Sequence, residues 1–331
     1  MSEQKSSGRV GRGRVSRRTF LGGLGGAASV LVVPREILGG PGYKAPSEKL
    51  NIAGIGVGGM GHGNLHGLKS ENIVALCDVD QRHAAGAYRD FPAAKRYVDY
   101  REMLEKQTDI DAVMVATPDH THAPASMMAI RLGKHVYCEK PLTHTVVEAR
   151  KVAEAAREKK VATQMGNRGQ ASEGVRTLCE WIWAGAIGPV REAHIWTDRP
   201  MRGIHDIYWP QGMGRPQDAP PVPPEVSWDL WLGVAPERPY HPAYMPFIWR
   251  GWWDFGTGAL GDIGCHAIDS SFRALKLKHP TSVEACSTPV NDESYPIASI
   301  VTWEFPEREG MPPLRLVWYD GGLRPPRPVE L

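Results

Sequence analysis

Residues 50–61, Leu50-Asn51-Ile52-Ala53-Gly54-Ile55-Gly56-Val57-Gly58-Gly59-Met60-Gly61, set an apolar run directly against the pattern Gly-x-Gly-x-x-Gly. The run reads as a strand, and a helix is expected to follow, beginning at Asn64. In that context the first glycine allows a tight turn and the second lets backbone approach a pyrophosphate. The third permits close packing of helix on strand, and the helix N-terminus faces the negative charge. A glycine-rich turn alone needs no ligand. Here Asp78 ends the next apolar run, 17 residues after Gly61, where a carboxylate can accept hydrogen bonds from an adenine-ribose diol. It would also repel a 2′-phosphate, so NAD is expected, while Arg82 nearby leaves NADP open.

Outward from this stretch, short apolar runs alternate with helical ones as far as residue 165. Strands are expected at 73–77, 96–98, 111–116, 135–138 and 161–165, and helices at 82–90, 101–106, 123–132 and 146–159. That alternation indicates βαβ units on a parallel sheet. Beyond residue 170 the pattern changes to a helix at 174–183, a strand at 190–197 and an irregular region at 198–255. A helix at 258–277 and strands at 282–287, 299–305 and 314–319 follow. The irregular region holds eleven prolines, and seven of the chain's eleven Trp lie in or beside it, a composition that argues against disorder. The expected fold is an α/β Rossmann dinucleotide-binding domain at 49–170 plus an α+β domain at 171–331 with a largely antiparallel open sheet. Residues 1–48 are set aside as leader and linker.

Three polar clusters follow successive strands: Thr117-Pro118-Asp119-His120-Thr121-His122, Glu139-Lys140-Pro141 and Gly166-Asn167-Arg168. They therefore share the carboxyl edge of one sheet, where open α/β folds bind ligands. A lysine there can stabilise alkoxide character on a substrate oxygen, although an isolated Glu-Lys-Pro is better read as a surface lysine on a turn. Asp262 and His266 stand four apart, on one helix face. A histidine so placed can take a hydroxyl proton, with the carboxylate orienting it or the substrate. A helix cap with a core histidine would give the same spacing.

Together, Ser16-Arg17-Arg18-Thr19-Phe20-Leu21, Gly56-x-Gly58-x-x-Gly61, Glu139-Lys140-Pro141 and Asp262-x-x-x-His266 resemble the Gfo/Idh/MocA oxidoreductases. The resemblance runs from about Lys49 to the end of the chain. It implies Lys140, Asp262 and His266 as the catalytic group, with His266 the general acid/base, and a cis Lys140-Pro141 peptide. It also implies a second sheet that serves oligomerisation, so a homo-oligomer is expected. The 198–255 region is longer than in the simplest members, and the chain stops early, so a carboxy-terminal truncation is expected.

The expected cofactor contacts are Gly56, Gly58, Gly59, Met60, Gly61, Asp78, Thr117, Pro118, His120, Glu139 and Lys140. Asn167, Arg168, Arg199, Arg250 and Trp253 are the expected contacts to a carbohydrate, with His205, Asp206 and Trp209 as further candidates. Aromatic faces stack on sugar C–H surfaces while polar groups read hydroxyls; most of the Trp are nonetheless expected to be core. His62, His66, His120 and His122 suggest a metal, but hydride transfer needs none, and no metal site is expected.

The 331 residues carry a formal net charge of +2. Six of the basic residues lie in the first twenty, against Glu3 alone, so the remainder is slightly acidic and lacks a nucleic-acid binder's footprint. Arg17-Arg18 precedes an apolar stretch of about 13 residues, short of the roughly 20 that span a membrane. This reads as a twin-arginine export signal, handing the chain to that machinery and on to the periplasm. Five cysteines, odd in number and widely spaced, form no disulfide framework, which fits folding in the cytoplasm before export. Three functions remain: an oxidoreductase acting on a secondary hydroxyl of a sugar or polyol, a glycosidase or lyase oxidising transiently with tightly held NAD, and a non-catalytic NAD- or sugar-binding module. Export favours the second, because free NAD is scarce outside the cytoplasm.

Overall fold

The computed structural model describes residue 45, residues 48–202 and residues 206–328. The twin-arginine segment and His205 lie outside them. Both sheets belong to one compact unit that begins at Leu50.

The first sheet has six parallel strands: β1 (Asn51–Ile55), β2 (Asn72–Cys77), β3 (Lys95–Tyr97), β4 (Ala112–Val115), β5 (His135–Cys138) and β6 (Thr163–Met165). Their order, β3-β2-β1-β4-β5-β6, is that of a doubly wound dinucleotide fold, with the chain reversing direction across the sheet between β1 and β4. Ala53, Ala75, Val113, Val115 and Cys138 are buried at its centre, as expected of strands covered on both faces. The helices are α1 (Gly59–Gly67), α2 (Ala85–Asp90), α3 (Tyr100–Lys106), α4 (Asp119–Arg131) and α5 (Val146–Lys159). Helix α5 starts on a reciprocal capping box between Thr145 and Glu148, which satisfies two otherwise orphaned backbone donors. Helix α1 begins five residues before the expected Asn64. Three glycines in its first five residues hide it from a propensity reading, but it is seated by the turn ahead of it.

The second sheet has the order β7-β10-β9-β8, from β7 (Glu192–Trp196), β8 (Ser282–Ser287), β9 (Ser299–Phe305) and β10 (Leu314–Tyr319). Strand β10 pairs parallel with β7 and antiparallel with β9, which pairs antiparallel with β8. Helix α6 (Glu173–Trp183) precedes the sheet in sequence, α7 (Trp228–Leu232) lies in the irregular region, and α8 (Gly258–Ala274) follows it. Ile263, Ala267 and Ile268 of α8 pack on Leu316 and Trp318 of β10 and their neighbours.

The described residues of region 198–255 include an aromatic core of their own, with Trp231, Tyr244, Trp249, Trp252 and Phe255 buried together. Arg238 is buried beside them and paired with Asp254 and Glu293. Most of these Trp are core, as expected. No helix among the described residues is long and apolar enough to cross a membrane.

Candidate active site

The glycine turn after β1 has the shape the sequence demands. Gly56 has φ +74°, and a Cβ there would lie 2.7 Å from the Ala116 carbonyl oxygen. A Cβ on Gly61 would fall 1.9 Å from the Gly56 oxygen, so α1 approaches the turn more closely than any side chain permits. Asp78, just past β2, accepts from the Val57 and Gly58 amides at 2.9 and 3.2 Å through Oδ2. Its Oδ1 accepts from the Asp80 amide at 2.9 Å. Burial raises this carboxyl above its ordinary range, against the pull of those backbone donors. Asp78 therefore braces the glycine turn as well as facing the cavity, a role its spacing did not reveal.

This turn forms one wall of a cavity of about 330 Å³. Gly56, Gly58, Gly59, Met60, Thr117, Pro118, Glu139 and Lys140 line it, and so do Arg250 and His266 from the second half of the chain. Gly61 serves from behind, through its contact with Gly56. His83, Trp231 and Phe247 also line the cavity and were missed. His83 lies against Gly58, and the other two come from a region whose path no periodicity reveals.

His120 is the exception among the expected cofactor contacts. It is buried with Nδ1 3.2 Å from the Phe255 carbonyl and Nε2 3.1 Å from that of Trp231. Its ring joins the dinucleotide domain to the aromatic core instead of lining the cavity. Burial pushes it down to about 4, so it is neutral. His122 is buried too, between the carbonyls of Pro141 and Thr117 at 2.7 and 2.8 Å, and ties together the loops after β4 and β5.

The Lys140-Pro141 peptide is cis, as the resemblance implies. Lys140 Nζ donates to Asp262 Oδ1 at 2.7 Å and to the Asp262 carbonyl at 3.0 Å. Arg250 Nε donates to the same Oδ1 at 3.0 Å. Burial alone would raise Asp262, but the Lys140 and Arg250 cations outweigh it and hold the carboxyl below its ordinary range. Asp262 thus positions the lysine.

The partner of His266 is Asn167. Its Oδ1 lies 2.9 Å from His266 Nδ1, while its Nδ2 donates to the Cys265 carbonyl at 2.7 Å. With the amide nitrogen committed, Oδ1 is the acceptor, Nδ1 carries the imidazole proton and Nε2 is bare. Burial and the Lys140 ammonium both lower His266, which favours its neutral, proton-accepting form. Asn167, expected to contact substrate, is instead spent within the protein.

Three other expected substrate contacts, Trp253, Arg199 and Arg168, lie off the cavity wall. Trp253 packs on Tyr295, ring centroids 3.6 Å apart and planes tilted by 39°, and borders a second hollow, beside Thr257 and Cys286. Arg199 bonds Asp198 at 2.6 Å and covers the Tyr208 ring at 4.5 Å. Arg168 opens a short 3₁₀ turn beyond Asn167, and its charge reaches His266. Asp206 is exposed, and Trp209 is buried with its indole N–H on Gln211.

A six-stranded Rossmann sheet, a glycine cradle and a Lys–Asp/His pair from two halves of the chain define a dinucleotide-binding protein of oxidoreductase architecture. Residues 50–167 match the family model described as "Oxidoreductase family, NAD-binding Rossmann fold". Residues 205–303 match "Oxidoreductase family, C-terminal alpha/beta domain". The chain belongs to the Gfo/Idh/MocA family, and its amino-terminal domain is an NAD-binding Rossmann fold.

It is 28% identical over 194 residues to a levoglucosan dehydrogenase from Pseudarthrobacter phenanthrenivorans, across 59% of this chain and 40% of that protein. It is 31% identical over 159 residues to an inositol 2-dehydrogenase from Serratia proteamaculans, across 46% and 47%. The chain thus spans less than half the length of these curated relatives. In fold it is similar to the WlbA dehydrogenase from Chromobacterium violaceum, with TM-score 0.60, 18% identity and coverage of 84% and 69%. It is also similar to a levoglucosan dehydrogenase in complex with NADH and L-sorbose, with TM-score 0.56, 20% identity and coverage of 82% and 66%.

Proposed function

We propose that the protein is an NAD-dependent oxidoreductase acting on a secondary hydroxyl of a sugar or polyol, with His266 as the general acid/base. The observation that carries this reading is the bare Nε2 of His266 on the wall of the same cavity as the glycine cradle and Lys140. The cradle fits a dinucleotide, since a Cβ on Gly56, Gly58 or Gly61 would run into the Ala116 carbonyl, the His83 ring or the Gly56 oxygen, so only glycine gives the tight, bare-backbone turn that a pyrophosphate can approach. When bound, NAD supplies the hydride acceptor. Nε2 of His266 takes the hydroxyl proton, and the Lys140 ammonium donates to the oxygen as it gains negative charge. Asp262 holds that ammonium in place, and Asn167 holds the imidazole in the basic tautomer. The Asp78 carboxylate reads the ribose diol and disfavours NADP.

The relatives named as inositol and levoglucosan dehydrogenases support the substrate class and suggest the first compounds to try. A panel of inositols, anhydrosugars and free sugars, followed by NADH absorbance, tests the reading. At least one should give net NADH. Sugar release without net NADH would point to a closed redox cycle, and silence across the panel with intact NAD binding to a non-catalytic module.

We further infer export by the twin-arginine route to the periplasm, from Arg17-Arg18 and the apolar stretch after it. Replacing both arginines with lysine should leave cofactor-loaded protein in the cytoplasm. The full exposure of β8 supports a homo-oligomer that pairs second sheets.

A further inference from the structure

Four histidines stood out in the sequence, and the fold separates them. His120 and His122 are buried against backbone carbonyls. His62 and His66 stand one turn apart on the outer face of α1, and both reach Asp90 at the end of α2. Each Nε2 lies 2.9 Å from the same oxygen, Asp90 Oδ2. The ring centroids are 4.9 Å apart and the planes are inclined at 51°, so the rings converge on one point and do not stack. The three ligand atoms lie within 4.8 Å of one another.

From this geometry we propose that His62, His66 and Asp90 bind a divalent transition-metal ion, zinc by donor type. Two imidazole nitrogens and a carboxylate oxygen suit zinc, which takes such ligands at about 2.0–2.2 Å in a tetrahedron. Ligand atoms around it stand roughly 3.3 Å apart, so the pairs at 2.9 Å need to open by only a few tenths of an ångström. All three side chains are partly exposed, at 28%, 50% and 28%, which lets an ion enter from solvent and leaves the fourth position to water. His62 is seated by Gly86, where a Cβ would come within 2.9 Å of the ring Cε1. Asp90 Oδ1 faces Arg89 at 3.4 Å, which leaves Oδ2 as the ligating oxygen.

On binding, each imidazole gives its Nε2 lone pair to the ion. A ring protonated at Nε2 either moves that proton to Nδ1 or releases it to solvent. The ion would join α1, which follows the glycine turn, to α2, which follows Asp78, and so brace both sides of the cofactor cradle from outside. This stands apart from the hydride chemistry, since neither histidine lines the cavity.

The test uses full-length protein purified without a polyhistidine tag and stripped with chelator. Zinc is titrated by calorimetry and Co²⁺ by its visible d–d absorption. The parent should bind one equivalent of each and gain thermal stability with zinc, because only the folded state holds the site. His66→Ala and Asp90→Asn should each weaken binding about tenfold or more. NAD affinity, unchanged in both variants, confirms that they are folded. Absence of binding in the parent, or equal binding in parent and variants, would overturn the proposal and leave only a hydrogen-bonded surface cluster.

Discussion

A histidine acts as a base only while its accepting nitrogen is bare, and in this protein that condition is set by one amide. Asn167 fixes the Nδ1–H tautomer of His266, while burial and the Lys140 ammonium disfavour the imidazolium. The sign for activity follows. The neutral ring is the active form for alcohol oxidation, so its rate should hold at neutral pH and fall only as the pH drops below 6.5, the ordinary imidazole value. Asn167→Leu should cut turnover by about 10–100-fold, a size typical of lost orienting partners, with NAD affinity unchanged. Asn167→Asp keeps an acceptor for Nδ1–H but adds negative charge. It should retain more activity than the leucine variant and shift the acid limb of the pH–rate profile upward. Equal loss in both variants with no shift of that limb would mean that Asn167 only fills space.

At the scale of elements, the end of β2 and the glycine turn form one unit through the three amides that Asp78 accepts from. Asp78→Ala should therefore weaken NAD binding, relax discrimination against NADP and lower the unfolding temperature. Calorimetric titration with both cofactors checks the first two, and parental affinities for both would remove the ribose contact from the account. The strand and glycine turn of residues 51–61 were legible because each constraint is local: an apolar run, then glycines at fixed offsets; the start of α1 at Gly59 was not. The parallel sheet followed from the same alternation of strands and helices, whereas its strand order came only with the structure. Asn167 was found as a polar residue at a strand end, but its use was not. The Cys265 carbonyl that claims its amide lies 98 residues away. His120 misled for a similar reason. It sits in a cluster at the sheet edge, yet its ring turns toward Phe255 and Trp231, contacts set by the packing of region 198–255. That region has no period to read, and its Trp and Phe side chains reach the cavity only through tertiary packing.

For the whole molecule, the catalytic reading depends on two halves of the chain meeting. Lys140 lies two residues past β5 of the parallel sheet, His266 rides α8 against the second sheet, and Asp262, also on α8, accepts from Lys140 at 2.7 Å. Neither the lysine nor the histidine has an evident acid/base role alone, so their effects should not add. The most direct measurement is single-turnover hydride transfer, with NAD affinity determined separately, for His266→Ala, Lys140→Ala and the double variant. His266→Ala should slow transfer by about 10²–10⁴-fold with dinucleotide affinity nearly intact, and the double variant should be little worse than the slower single one. A near-parental rate for His266→Ala at unchanged substrate affinity would contradict the account and place the base elsewhere, with His205 the first residue to examine.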